Sequence, residues 1–169
     1  MAHWLARLLR HRWFDEVDAR RALPPDALSR IEAHVAASEA RHSGQIRVCV
    51  EAGLPFGYLR RGASARDRAV AMFGKLRVWD TEHNNGVLIY LLLAERAIEI
   101  VADRGLGRFV GPTTWQQVMA TMQSAFGAGQ FEAGLTQAIA AVDALLVQHF
   151  ALAPGASRSN ELPDAPVIQ

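Results

Sequence analysis

Near the middle of the chain, seven consecutive apolar residues, Val87 to Leu93, stand between two polar segments. A run of this length, bounded by turn residues and too short to cross a membrane, is typical of a strand that is covered on both faces. Ala94-Glu95-Arg96 then turns the chain. We predict that Ala97 to Asp103 follows as a second strand, antiparallel to the first.

A third strand is predicted before this hairpin. In Gln45 to Glu51, apolar residues alternate with polar or small ones, as they do in a strand. Ser64 and Asp67 have the spacing of a capping box and predict the start of a helix between this strand and Val87–Leu93. Because such a helix acts as a crossover, the two strands are expected to be parallel.

Further helices complete the predicted fold. One starts at Leu23-Pro24-Pro25-Asp26 and stops at Ser43-Gly44, one is capped by Thr113 or Thr114 and reaches Phe126, and one runs from Phe131 to Phe150. Residues 52–62 and 105–112 are glycine-rich and are predicted as loops. Since helices precede, separate and follow the strands, we predict an α/β fold, a three-layer α/β/α sandwich with a small mixed sheet.

Composition defines the domain and removes several functional classes. The chain has 169 residues, 50% of them hydrophobic, and a net charge of +1. This suits one domain at residues 23–150 between a basic amphipathic N-terminal segment, residues 1–22, and a disordered tail, residues 151–169. The small net charge gives no reason to expect a nucleic-acid partner. The single cysteine, Cys49, cannot form an intramolecular disulfide and is predicted to be a small buried residue.

Residues 1–14 combine tryptophan, leucine and arginine in a helical pattern. Trp4, Leu5, Leu8 and Leu9 fall on one side of such a helix, with arginines interleaved. One interpretation is a peripheral helix that lies on a membrane surface or binds a protein partner. The other is a helix that packs its aromatic side on the domain. No signal peptide or membrane-spanning run is visible, so we expect a cytoplasmic protein, peripheral at the inner face of the membrane.

Acidic residues are predicted to gather at one rim of the sheet. Asp80 and Glu82 precede the central strand, and Asp103 ends the strand beside it. In an antiparallel hairpin the start of one strand lies next to the end of the other, so the three carboxylates are expected on the same rim. Oxygen ligands grouped in this way suit Ca²⁺ or Mg²⁺, and Arg104 beside them would bind phosphate.

The same stretch also has a purely structural interpretation. Asp80 to Gly86 contains the residue types that dominate turns and helix caps, and Asp103-Arg104 is equally consistent with a surface ion pair. His83 has the chemistry of a general base. A lone loop histidine without an identified nucleophile is nevertheless more often non-catalytic.

Several of these residues form a recognisable pattern. The motif Asn84-Asn85-Gly86 leads into the hydrophobic strand, and Ile98-Glu99-Ile100-Val101 and Asp103-Arg104-Gly105-Leu106 follow the short charged turn. This arrangement resembles the TPM domain family, also known as the YgcG-like or thylakoid acid phosphatase-like family. The resemblance spans about Leu23 to Phe150 and implies an α/β/α fold. It also implies phosphatase activity or calcium binding, which are credited to some relatives.

Two functional hypotheses follow. The first, which we favour because no complete catalytic set is visible, is a non-catalytic interaction module held at a membrane surface or on a protein partner by residues 1–14. The second is a divalent-cation-assisted phosphatase that acts on phosphomonoesters. In that case Asp80, Glu82 and Asp103 would hold Ca²⁺ or Mg²⁺, and Asp103 and Arg104 would be the catalytic residues.

Overall fold

The computed structural model describes residues 2–153, 155–156 and 159–169, with side chains from residue 4 onward. Residue 1 of the predicted N-terminal segment and residues 154, 157 and 158 of the predicted tail lie outside the described residues. The helices are α1 Ala2–Trp13, α2 Glu16–Ala22, α3 Pro25–Glu39, α4 Phe56–Arg60, α5 Ala65–Lys75, α6 Arg104–Gly107, α7 Pro112–Gly127 and α8 Phe131–Phe150. The strands are β1 Gln45–Glu51, β2 Gly86–Leu92, β3 Ala97–Ala102 and β4 Val167–Ile168, and a short 3-10 turn, Leu93–Glu95, joins β2 to β3.

The sheet is mixed, with the strand order β3-β2-β1-β4. Strands β1 and β2 are parallel, in a register that pairs Gln45 with Gly86, and β2 and β3 are antiparallel. Helices α4 and α5 form the crossover between the two parallel strands. The predicted mixed sheet and its parallel central pair are therefore confirmed.

Alternate side chains of the strands supply two separate cores. Ile46, Val48 and Val50 of β1 join the core beneath α2, α3, α7 and α8. On the opposite face, Cys49 of β1 and Tyr90 of β2 belong to a second core with residues of α4 and α5. Because both strands are buried on both faces, the sheet forms the middle layer of an α/β/α sandwich, as the sequence predicts.

The crossover helix starts where the sequence predicts. The Ser64 side chain accepts a hydrogen bond from the amide of Asp67, and the Asp67 carboxylate accepts one from the amide of Ser64. This reciprocal capping box satisfies two amides that the first turn of α5 leaves without a helical partner. The prediction for α7 was wrong, because its N-cap is Gly111 and Pro112 occupies the first turn without a side-chain cap.

The prediction of a disordered tail from residue 151 onward was also wrong for its last part. Val167 and Ile168 form β4, which pairs in parallel with Cys49 and Val50 of β1. Leu162 is buried in the second core. Low hydrophobicity predicts disorder because little apolar surface can be buried, but hydrogen bonds to β1 hold this segment in place.

Two loop predictions also missed short helices. Residues 52–62 contain α4, and residues 105–112 include most of α6. Both helices are about one turn long, so they are too short to show a helical period in their sequences.

Gly86 provides a test of how closely the polar loop packs on the start of β2. A Cβ at this position would lie 2.0 Å from the main-chain oxygen of Val78, which cannot retreat without moving the loop. We therefore expect Gly86→Ala to lower the free energy of unfolding by about 3 kcal/mol or more, measured by urea denaturation.

The control is Gly74→Ala in α5, where nothing lies within 4 Å of the added Cβ. Alanine is the better helix former, so this change should stabilise the protein by about 1 kcal/mol. A Gly86→Ala protein as stable as the parent would show that the loop yields easily.

Candidate functional site

Asp103, Arg104 and the motif loop, which are among the predicted site residues, lie at the rim where β2 starts and β3 ends. The amide of Asp103 donates a hydrogen bond to the carbonyl oxygen of Gly86 at 2.9 Å. Asp103 therefore lies beside the motif loop Asn84-Asn85-Gly86, as expected from the geometry of an antiparallel hairpin. We refer to Asn84, Asn85, Gly86, Asp103 and Arg104 as the motif rim.

The motif loop and the start of α6 pack closely on each other. Arg104 Nε donates to the side-chain oxygen of Asn84 at 3.0 Å, and the amide of Gly105 donates to the main-chain oxygen of Asn84 at 2.8 Å. A Cβ at residue 105 would lie 2.4 Å from that main-chain oxygen, so only glycine fits here. These contacts fix Arg104 against the loop that precedes β2.

Two acceptor oxygens at the motif rim are buried without a hydrogen-bond partner among the described residues: Asp103 Oδ2 and Asn85 Oδ1. The other atoms of both side chains are engaged, since Asp103 Oδ1 accepts from the amide of Arg104 and Asn85 Nδ2 donates to Ser43 Oγ. Buried polar atoms in folded proteins are ordinarily paired. Each oxygen therefore has an accepting position left for a bound cation or a water molecule.

The other predicted metal ligands do not join this rim as a three-carboxylate cluster. Asp80 is exposed and forms an ion pair with Arg77, three residues before it. Glu82 is exposed, and its amide donates to the Glu161 carboxylate. Within the described part of the chain, no group of three or more His, Cys, Asp or Glu side chains is arranged to hold a metal ion. Cation binding stays a prediction, and the structural support for it lies with Asp103 and Asn85.

Helix α1 contacts the domain through Arg7, His11 and Leu8, and Leu8 packs against the second core. Arg7 Nε donates to Glu95 Oε1 at 2.7 Å, and a second Arg7 nitrogen donates to the carbonyl oxygen of Ala63. His11 Nδ1 accepts from the amide of Leu54, so its Nε2 carries the proton and donates to Glu95 at 2.9 Å. The sequence pattern did not reveal this anchor, because Glu95 reads as part of a charged turn.

Electrostatics support this attachment. Burial alone would raise the pKa of Glu95, but the hydrogen bonds from Arg7 and His11 outweigh it and hold the pKa below its usual value. The carboxylate thus stays ionised and keeps both partners. Its contribution to holding α1 is complete above the usual pKa of a glutamate and is lost as the pH falls through the lowered value.

The outward side of α1 is apolar. Trp13 is 81% exposed and Leu9 58%, and Trp4, Leu5 and Phe14 are also exposed. A shallow cavity, lined almost entirely by apolar atoms, opens between Leu9, Trp13 and Phe14. Of the residues predicted on one side of α1, only Leu8 packs on the domain, so the interpretation of α1 as a helix that packs its aromatic side there is wrong for Trp4, Leu5 and Leu9. We call Leu5, Leu9, Trp13 and Phe14 the outer face of α1.

The buried polar groups of the second core lie away from the motif rim. Arg68 donates to both oxygens of the Glu51 carboxylate, and the Tyr90 hydroxyl also donates to this carboxylate at 2.6 Å. Glu51 pairs in register with Leu92, at the opposite end of β2 from Gly86. Burial raises the pKa of the Cys49 thiol to about 12, which makes it unreactive and fits its predicted role as a small buried residue.

A serine, a histidine and an aspartate meet between α3 and α8, but not in the order of a catalytic triad. The Ser38 hydroxyl donates to Asp143 at 2.8 Å, and His42 Nε2 lies 3.0 Å from the same hydroxyl. Arg41 also forms an ion pair with Asp143. In a triad the carboxylate accepts a hydrogen bond from the histidine and orients it, whereas here the Asp143 carboxylate accepts one from the Ser38 hydroxyl. Since Ser38, His42 and Asp143 are buried, this cluster joins helices.

Comparisons with known proteins give relatives of similar fold. BA42 from the psychrophilic bacterium Bizionia argentinensis has a solved structure that matches with a TM-score of 0.74 and 26% identity, over 87% of this chain and 95% of that one. The N-terminal domain of a protein from P. gingivalis matches with a TM-score of 0.60 and 19% identity, over 78% of this chain and 83% of that one, and shows the fold alone. No curated protein matches the sequence.

The family comparison matches the TPM domain over residues 17–145. The match includes the three long strands, the crossover and the motif rim, and it leaves out α1 and the C-terminal segment. It extends over more than half of the chain, so this protein belongs to the TPM domain family.

Proposed function

We propose that this TPM domain protein is a non-catalytic interaction module that binds anionic membrane surfaces through α1. The observation that carries the proposal is the orientation of α1, which directs Arg7, Leu8 and His11 to the domain and leaves its outer face exposed to solvent. A helix that served only to cover the core would have the opposite orientation, because burying apolar surface is what stabilises such packing.

The charges of α1 favour lipid as the binding partner. Residues 1–14 contain arginines and histidines but no aspartate or glutamate. Arg10 and Arg12 flank the outer face, while Arg7 is occupied by Glu95. An apolar face with Trp, Phe and Leu between arginines matches helices that lie in the headgroup layer of a bilayer. Within the described residues, no helix is long and apolar enough to cross a membrane, so α1 would lie along the surface.

The outer face can be tested with a matched pair of substitutions. Leu9 and Phe109 are both 58% exposed, and Phe109 contacts α8 on the other side of the sheet. In co-sedimentation with vesicles of phosphatidylcholine and phosphatidylserine, Leu9→Asp should weaken binding about tenfold or more, because leucine would no longer enter the lipid. Phe109→Asp adds the same charge and should bind like the parent.

Equal loss in both variants would point to net charge as the cause. If the parent protein does not bind the vesicles, the membrane proposal is refuted, and the remaining interpretation is that a protein partner binds the outer face of α1.

The arginines have a separate expected effect. Each basic residue near an anionic surface contributes about 1 kcal/mol, so Arg10→Gln and Arg12→Gln should each weaken binding about fivefold. The loss should occur with phosphatidylserine vesicles at low salt and disappear with pure phosphatidylcholine, because screening and neutral lipid remove the attraction. Arg20→Gln on α2, whose arginine is paired with Glu16, is the control. An equal loss with both kinds of vesicle would contradict an electrostatic role.

The unpartnered oxygens at the motif rim favour a second candidate function, a divalent-cation site with phosphatase activity. We expect a Ca²⁺ or Mg²⁺ titration to shift the amide NMR signals of Asn85, Gly86, Asp103 and Gly105. Asp103→Asn should abolish those shifts and any metal-dependent hydrolysis of p-nitrophenyl phosphate, because it removes the negative charge that attracts the cation.

Asp80→Asn is the control on the same side of the domain, since Asp80 is already paired with Arg77. It should leave the cation-induced shifts unchanged. If the shifts in the parent protein are absent or scattered, the motif-rim residues serve only to form a turn and a helix cap.

A further inference from the structure

The C-terminal residues 161–169 lie along the free edge of β1 and contact that strand mostly through main-chain atoms. The side chain of Leu162 is buried in the second core, and Val167 and Ile168 pack against the cores. Gln169 donates through its amide to Val50 and accepts through its carbonyl oxygen from the amide of Ala52. In the strand register, Val167 pairs with Cys49 and Ile168 pairs with Val50. The segment is therefore an extended peptide added to the sheet as an edge strand, although it belongs to the same chain.

Two buried side chains of β1 form hydrogen bonds with the backbone of this segment. Gln45 Oε1 accepts from the amides of Glu161 and Leu162 at 2.9 and 3.0 Å. Arg47 donates to the carbonyl oxygens of Pro163 and Ala165 through one of its terminal nitrogens. Every extended peptide has such amides and carbonyl oxygens, so this edge can hold a chain of another sequence that has an apolar residue at the position of Leu162.

The positive charge of Arg47 is buried, and residues 161–169 do not provide a carboxylate that forms a salt bridge with it. Only 9% of this residue is exposed, and the structure gives it no salt bridge within the described residues. Asp164 attracts its charge without forming a salt bridge with it, and the Asp164 carboxylate is bound by the side-chain amide of Asn160. Burial accordingly lowers the pKa of Arg47. A buried guanidinium gains most from a carboxylate within hydrogen-bonding reach.

We propose that the edge of β1 is a peptide-binding site that residues 161–169 occupy in this structure and that an acidic extended segment of a partner protein takes over. Its backbone would replace the contacts with Gln45 and pair with Cys49 and Val50. A carboxylate next to the position of Ala165 would pair with Arg47. The C-terminal segment of a second copy would bring the same Asp164 and would gain nothing, so a different partner is favoured.

The test must lower the advantage of the tethered segment, because a short linker gives it an effective concentration in the millimolar range. A protease site is inserted between Ala153 and Asn160 of the full chain, and the folded protein is cut there. Binding is then followed by fluorescence anisotropy with two labelled peptides, residues 159–169 and the same peptide carrying Ala165→Asp. We expect both peptides to replace the released segment and the acidic one to bind about tenfold more tightly.

The matched variants are Arg47→Met and Arg66→Met. Arg66 also donates to a main-chain carbonyl oxygen of a strand, that of Ile100 at the opposite edge of the sheet. Arg47→Met should remove the preference for the acidic peptide, whereas Arg66→Met should preserve it. Failure of both peptides to enter the cut protein, or equal affinity for the two, would overturn the proposal.

The uncut chain provides a second measurement that does not depend on how well the cut protein folds. At high concentration the Ala165→Asp peptide should shift the amide NMR signals of Cys49, Val50 and Val167, because it displaces the tethered segment. Signals that stay in place up to millimolar peptide would also count against the site.

Discussion

Strand β2 is hydrogen-bonded along both edges and buried on both faces, and most of the remaining structure follows from those two conditions. A strand paired in parallel with β1 requires a connection that returns over the sheet, which α4 and α5 provide. A strand with two apolar faces requires helices on each, so α3, α7 and α8 cover the face that the crossover leaves open. The start of β2 is equally constrained, because Gly86 lies against Val78 and Gly105 lies against Asn84.

These conditions explain which parts of the fold could be predicted. Strand β1 and helix α8 were found with their observed bounds, and β2 and β3 to within one residue, because a run of apolar residues or an alternation records burial directly. The capping box at Ser64 could be predicted because it depends on two side chains three residues apart. Strand β4 could not, because it has only two residues and the segment before it is held by Gln45 and Arg47, more than a hundred positions earlier.

The candidate sites divide in the same way. The neighbourhood of Asp103 and the motif loop follows from hairpin geometry, so the sequence predicted it. The position of Asp80 depends on a turn in which Arg77 has a positive φ, and no pattern records that conformation. For α1 the sequence shows an amphipathic helix without showing which side faces the domain. That choice is made by Glu95, whose carboxylate binds Arg7 and His11 together.

The two edges of the sheet are protected by different means, and the difference bears on how the protein meets partners. At β3 the Arg66 side chain lies across the edge and occupies the carbonyl oxygen of Ile100, which discourages another strand from pairing there. At β1 a segment of the chain itself occupies the edge, and Gln45 and Arg47 hold it by backbone atoms that any peptide has. A charged side chain blocks an edge, whereas a tethered strand occupies it through the same kind of backbone contacts that a competing strand would make. A segment that competes at the β1 edge must therefore also supply an apolar side chain in place of Leu162, which is buried in the second core.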